Sequence, residues 1–187
     1  MNRTREPPSR TETTSPNPSS TVSLNSPENI LFRLPPEQET TVRGIYATLA
    51  DQGFPAQQQR PHISVTFAPA MAPRVVGEAA ERLPRLLPAA FRRVGVVIFG
   101  TKSKQTVAWL LEGPDELERA ARDISALNPD GRGDRWIPHL TMGLRLPKAL
   151  VPQYITALHE ATSSHFTEII AERAAFYQPK LGTELTL

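Results

Sequence analysis

The 187-residue chain has no cysteine, which excludes disulfides, a thiol nucleophile and thiolate-bound zinc. It also lacks any stretch near the roughly 20 consecutive apolar residues that a membrane-spanning helix needs, so no membrane association is expected. Arg3 and Arg5 bring early positive charge but no apolar run follows them, so a secretory signal is not expected and a cytoplasmic location is. The formal net charge is only +2, which tilts toward anionic partners without the strongly basic stripe of a duplex-binding protein. What is present, 39% hydrophobic and 21% charged residues, suits one or two compact units with a sizeable core.

One five-residue phrase occurs twice, as Pro61-His62-Ile63-Ser64-Val65 and as Pro138-His139-Leu140-Thr141-Met142. Both read proline, histidine, aliphatic, hydroxyl, aliphatic. Side chains alternate across a β-strand, so each phrase puts a histidine and a hydroxyl on one face and two aliphatic residues on the other. Two such pairs brought together would surround a small anionic group with two imidazoles and two hydroxyls. That is equipment for acid/base chemistry on a phosphate.

Residues 1–27 are rich in Ser, Thr, Pro and Asn and nearly devoid of aliphatic side chains, so they read as a disordered tail. The folded part, residues 28–187, opens with a strand around Ile30-Leu31-Phe32-Arg33-Leu34 that Pro35-Pro36 ends. An amphipathic helix over Glu37 to Gln52 follows, with Val42, Ile45, Tyr46 and Leu49 at helical spacing and Gly53 as its stop. Arg60 to Phe67 is the first histidine strand. Val76, Ala79, Ala80 and Leu83 mark a second helix, and Arg92 to Phe99 with Gln105 to Leu111 form a predicted hairpin. Pro114-Asp115-Glu116 opens a third helix carrying Leu117, Ala120, Ala121, Ile124 and Leu127, and a loop from Asn128 to Asp134 follows. Trp136 to Leu144 is the second histidine strand, Val151 to Leu158 a fourth helix, and Phe166 to Tyr177 a single further strand. Leu185 and Leu187 add a short last one.

The two halves, about 28–100 and 105–178, share one order of elements and one spacing: 139 − 62 = 77 and 107 − 30 = 77 for the histidines and the first strands. An internal duplication accounts for this. The fold class is therefore α+β: two pseudo-twofold-related lobes, each with an antiparallel sheet and two helices, and an active-site cleft between them where the histidine strands face each other.

Histidine titrates near neutrality, so two can act in opposite protonation states, one accepting a proton as the other donates. In phosphodiester hydrolysis His62 and His139 would activate water and protonate the leaving ribose oxygen; the symmetry leaves open which does which. Ser64 and Thr141 would hydrogen-bond the non-bridging phosphate oxygens. This scheme requires no metal.

The paired H-x-[ST] phrases, one lobe apart, resemble the 2H phosphoesterase superfamily and in particular its bacterial 2'-5' RNA ligase-like branch, over about residues 28 to 187. The resemblance implies a bilobal fold with a central cleft and a site of His62, Ser64, His139 and Thr141. It also implies metal- and cofactor-independent chemistry on RNA ends or nucleotides bearing 2',3'-cyclic phosphates or 2'-5' linkages. The first motif has Ser64 where threonine is commoner, which retains the hydroxyl. The arginine often found five residues after the second histidine is Leu144 here, with Arg145 beside it and, on an undistorted strand, on the face opposite His139.

Arg60 and Arg135 share strand parity with the histidines, which makes them candidate phosphate ligands or solvated rim residues. Trp136 has core parity, so burial is expected over base stacking. Lys102 and Lys104 lie at a hairpin tip where charges are usually solvated, His159 and His165 have no assigned role, and Arg132-Gly133-Asp134 reads as a coincidental tripeptide. The functional expectation is a monomeric phosphodiesterase opening 2',3'-cyclic phosphates. A 2'-5' RNA ligase or 2'-5' phosphodiesterase, a non-catalytic RNA- or nucleotide-binding module, and a tail that tethers a partner are the alternatives.

Overall fold

A computed structural model describes residues 26–187, so the Ser/Thr/Pro-rich stretch lies almost wholly outside the described residues. The elements are β1 (Glu28–Arg33), α1 (Pro36–Asp51), β2 (His62–Ala68), α2 (Pro73–Arg82), β3 (Ala89–Phe99), β4 (Lys104–Glu112), α3 (Asp115–Leu127), β5 (His139–Pro147), α4 (Val151–Ala161), β6 (Glu168–Ala171), β7 (Arg173–Gln178) and β8 (Thr183–Thr186). No described helix is long and apolar enough to cross a membrane.

Local chemistry starts and stops these elements. Pro36 opens α1 with its ring preset for the helix, Glu37 and Glu39 sit at the positive end of the dipole, and Val42, Ile45, Tyr46 and Leu49 form its buried stripe. Gly53, at φ 90°, turns the chain out of the helix in a conformation that costs other residues about 1 kcal/mol or more. Asp115, Glu116 and Glu118 open α3, and Leu117, Ala120, Ala121 and Ile124 bury its inner face.

All eight strands join one antiparallel sheet in the order β6-β3-β4-β5-β2-β1-β7-β8. Its middle is thin: β2 and β5 meet through the single pair Ile63–Leu140, and to either side lies a half of four strands. Helices α2 and α3 pack together, with α3 against β2, while α1 and α4 pack together, with α4 against β4 and β5. Each half is thus an antiparallel sheet with two helices, the α+β architecture expected. The helices and the inner sheet face enclose a core that includes Ile63, Val65, Leu140 and Met142. Leu31, Ala108 and Ala175 are also buried but lie outside that core, on the opposite face.

The pairing repeats as the sequence does. Ile30–Thr66, Leu31–Ser64, Phe32–Ile63 and Arg33–His62 join β1 to β2, with a bulge between Ile30 and Leu31. Val107–Gly143, Ala108–Thr141, Trp109–Leu140 and Leu110–His139 join β4 to β5, with a bulge between Val107 and Ala108. Every residue of the first set maps onto the second at the spacing of the histidines, bulge included.

Two expectations need correction. The segment from Phe166 to Tyr177 is two strands, not one. Glu172 breaks it by giving its backbone N–H to the Arg33 carbonyl at 2.8 Å, so that β6 pairs with β3 at one sheet edge and β7 with β1 toward the other. Second, the halves of the sheet are not the repeats: through the predicted β3–β4 hairpin and the β1–β7 pairing, each half takes one strand from the other repeat. Repeat and sheet half are different stretches of chain.

Candidate active site

His62 and His139 are the first residues of β2 and β5 because the prolines before them carry no N–H for a ladder. Proline also fixes its own φ and holds the preceding residue extended, which presents the carbonyl two positions back to each imidazole. His62 Nδ1 lies 2.7 Å from the Arg60 carbonyl, and His139 Nδ1 lies 2.7 Å from that of Ile137. A carbonyl only accepts, so both rings carry hydrogen on Nδ1, and in the neutral form Nε2 of each is left with a lone pair. The antiparallel register through Ile63–Leu140, continued one residue each way, sets His62 across from Thr141 and Ser64 across from His139. All four side chains are half-buried on the face opposite the core.

Burial dominates the electrostatics. It pushes the His62 imidazolium down from 6.5 to about 4, helped by the positive charge of Arg33 and the neighbouring His139. His139 is lowered as well, by burial first and then by Arg132, against the hydrogen bond to Ile137. Without a bound anion both rings are neutral at pH 7.

Several partners escaped the sequence reading. Asn29 on β1 donates from Nδ2 to Ser64 Oγ at 2.8 Å, which occupies an acceptor lone pair and leaves the hydroxyl proton for another group. The same Nδ2 lies 3.5 Å from His62 Nε2. The residue one repeat later is Thr106, so this aid exists on one side only. Next to His139, Phe99 packs its ring 4.6 Å from the imidazole, and the Arg132 guanidinium sits 5.3 Å from Phe99 and 6.0 Å from Phe67. Ser64, Phe67, Arg132, Arg135 and His139 line one pocket. Arg132 therefore belongs to the site, a place that its tripeptide did not announce. Its loop is held down by Asn128, whose Nδ2 donates to Thr66 Oγ1 at 2.8 Å and to the Phe67 carbonyl at 3.0 Å.

Of the two arginines chosen by parity, Arg135 is exposed at the pocket rim, while Arg60 gives Nε to Glu39 at 2.8 Å. Trp136 is buried as its parity implied and donates Nε1–H to the Ser64 carbonyl at 2.8 Å; Trp109 is buried too. The parity argument about Arg145 does not hold, because β5 bulges between Gly143 and Leu146 and Arg145 itself has φ 56°. Among the described residues no three His, Asp or Glu side chains come together as metal ligands would.

No protein-family model and no curated protein matches the chain. Among solved structures it is similar to Usb1 of Kluyveromyces marxianus in complex with uridine monophosphate, at 11% identity and a TM-score of 0.44 over 88% of this chain and 98% of that one. It is similar also to a second structure of Kluyveromyces marxianus Usb1, at 12% identity and a TM-score of 0.45 over 86% and 96% of the two chains.

Proposed function

We propose that the protein is a two-histidine phosphodiesterase of the 2H phosphoesterase kind that opens 2',3'-cyclic phosphates on RNA ends or nucleotides. The observation that carries this reading is the symmetric geometry at the sheet joint. Two imidazoles, each with Nδ1–H tied to a backbone carbonyl, leave Nε2 for proton transfer beside two hydroxyls related by the same axis. Binding alone would not call for two titrating groups in matched tautomers.

In the proposed reaction a water oxygen attacks phosphorus and gives its proton to Nε2 of one histidine. The P–O3' bond breaks, and the 3' oxygen takes a proton from Nε2–H of the other, leaving a 2'-phosphate. His62 suits the base, because burial and Arg33 hold it unprotonated. His139 suits the acid, its added proton stabilised by the phosphate's own negative charge. Ser64, freed to donate by Asn29, and Thr141 would hydrogen-bond the non-bridging oxygens, where charge builds up. Phe99, Phe67 and Arg132 offer a stacking surface for a nucleobase beside His139, which supports a nucleotide over a simple phosphodiester.

The test is incubation with a short RNA ending in a 2',3'-cyclic phosphate, in EDTA, with product identification beside His62→Ala and His139→Ala. A 2'-phosphate from wild type, falling by about 10²-fold or more in each variant, is expected. Tight RNA binding without product, unchanged in both variants, would instead favour a binding module. Product joined through a 2'-5' linkage would favour the ligase.

A further inference from the structure

A row of charge runs outward from His62. Arg33 on β1 stands opposite His62 on β2 and opposite Arg173 on β7, and directly opposed residues share a sheet face. Strand spacing places the Arg33 backbone roughly 5 Å and the Arg173 backbone roughly 10 Å from that of His62. Arg60, just before β2, reaches the same place. All three converge on one carboxylate, Glu184 of β8: Arg33 donates to it from Nε at 3.0 Å and from Nη2, Arg173 donates from Nη1 at 3.2 Å, and Arg60 Nη1 lies 3.7 Å away.

Arg60 also gives Nε to Glu39 at 2.8 Å, but two carboxylates still do not exhaust three guanidinium groups with five N–H each. Arg33 is only 3% exposed, and its Nη1 is buried without a hydrogen-bond partner among the described residues. A purely structural cluster would close such a donor, since a buried cation that is incompletely paired is destabilising. The duplication does not account for the cluster either. The row related to it by the pseudo-twofold runs His139, Leu110, Gly95 and carries no charge beyond the histidine. The cleft is therefore polarised, with the arginines beyond His62 and the aromatic surface beside His139.

We propose that Arg33, Arg60 and Arg173 form a second anion site, which takes the 5'-phosphate of the nucleotide whose cyclic phosphate lies between the histidines. This rests on the function proposed above. The substrates it favours are RNA ends or 5'-phosphorylated nucleotides over bare nucleoside cyclic phosphates. Glu184 holds the guanidinium planes in place, and the phosphate takes the donors it leaves unused.

Two measurements on the full chain separate this proposal from the one it rests on. First, inorganic phosphate is titrated at low salt into the His62→Ala, His139→Ala double variant, followed through the arginine Nε–H resonances. Saturable binding is expected, and it should weaken at least tenfold on adding Arg173→Gln or Arg60→Gln. No binding, or binding indifferent to both arginines, overturns the second site. Second, kcat/KM is compared for uridine 2',3'-cyclic phosphate, its 5'-phosphorylated form and the dinucleotide ending in the cyclic phosphate. A preference of tenfold or more for either 5'-substituted substrate, falling below twofold in Arg173→Gln, is expected. Equal turnover of all three, or a preference that survives the variant, overturns the proposal. The arm that wins distinguishes a free nucleotide from an RNA end. Phosphate bound at the arginines without opening of any cyclic phosphate would refute the central reaction and leave the anion site standing.

Discussion

Acidification should destabilise this protein through His62 in a way that one substitution isolates. Its imidazolium is held down to about 4, against an ordinary 6.5, first by burial and then by Arg33 and His139. The folded state thus binds fewer protons than the unfolded state between these values, so stability falls as pH drops through that window and levels off below it. Each pH unit is worth 1.36 kcal/mol, so wild type should lose about 2 kcal/mol through this residue between pH 6.5 and 5, with a ceiling of about 3 kcal/mol by pH 4. Solvent reaching the half-buried ring reduces both figures. The other ionisable groups, His139 among them, contribute to the acid response of a His62→Gln variant as well. Urea denaturation of both proteins at a series of pH values gives the difference directly. Wild type should lose more stability than the variant on acidification, and the His62 ring resonance should move only below pH 5. Parallel losses, or a ring that titrates near 6.5, would refute the claim that burial governs this histidine. It would also remove the argument for His62 as the base.

Three further outcomes follow from single contacts. Asn29→Ala removes the donor to Ser64 Oγ and should lower kcat/KM on a cyclic phosphate about fivefold, the value of one hydrogen bond of about 1 kcal/mol, with little change in the urea midpoint. Asn128→Ala strands the buried Thr66 Oγ1 and releases the half-buried Phe67 carbonyl; a loss of about 1–3 kcal/mol by urea titration is expected, with a raised KM as the Arg132 loop loosens. Gly113→Ala would drive a Cβ into the Phe91 ring, which Phe32 and Trp136 hedge in. It should cost about 1–3 kcal/mol in stability, measured the same way.

The parts of the site legible in the sequence are those that lie within one strand. The alternation in Pro61–Val65 and Pro138–Met142 gave the shared face of each histidine and hydroxyl, and the equal spacing gave their meeting at a seam. Parity also assigned Trp136 to the interior. What failed depended on distant partners. Asn29 lies 35 residues before Ser64 and meets it only because β1 and β2 pair with a bulge, which no local pattern announces. Arg132 sits in a loop whose turn residues gave no hint that Asn128 would fasten it beside Phe67 and Phe99. A signal for Arg33 was available, since it alternates with Ile30, Phe32 and Leu34 and so belongs to the face without core. Its meaning came only with Glu184, which is 151 residues away. The break at Glu172 was hidden because both strands around it are equally rich in apolar residues. Only the Arg33 carbonyl, supplied by another strand, marks the break.

The exchange of β3 and β7 between the sheet halves makes the two repeats dependent on each other. A cut at the Gly100–Ser103 hairpin tip would yield fragments that each hold a strand the other needs, so the nicked protein should stay whole in native buffer, whereas neither piece expressed by itself should fold. A chain of half this length could complete its sheet and assemble a two-histidine cleft only by pairing with a second copy of itself. Fusion of two copies makes that pairing permanent, and it lets one side of the cleft acquire arginines while the other acquires aromatic rings.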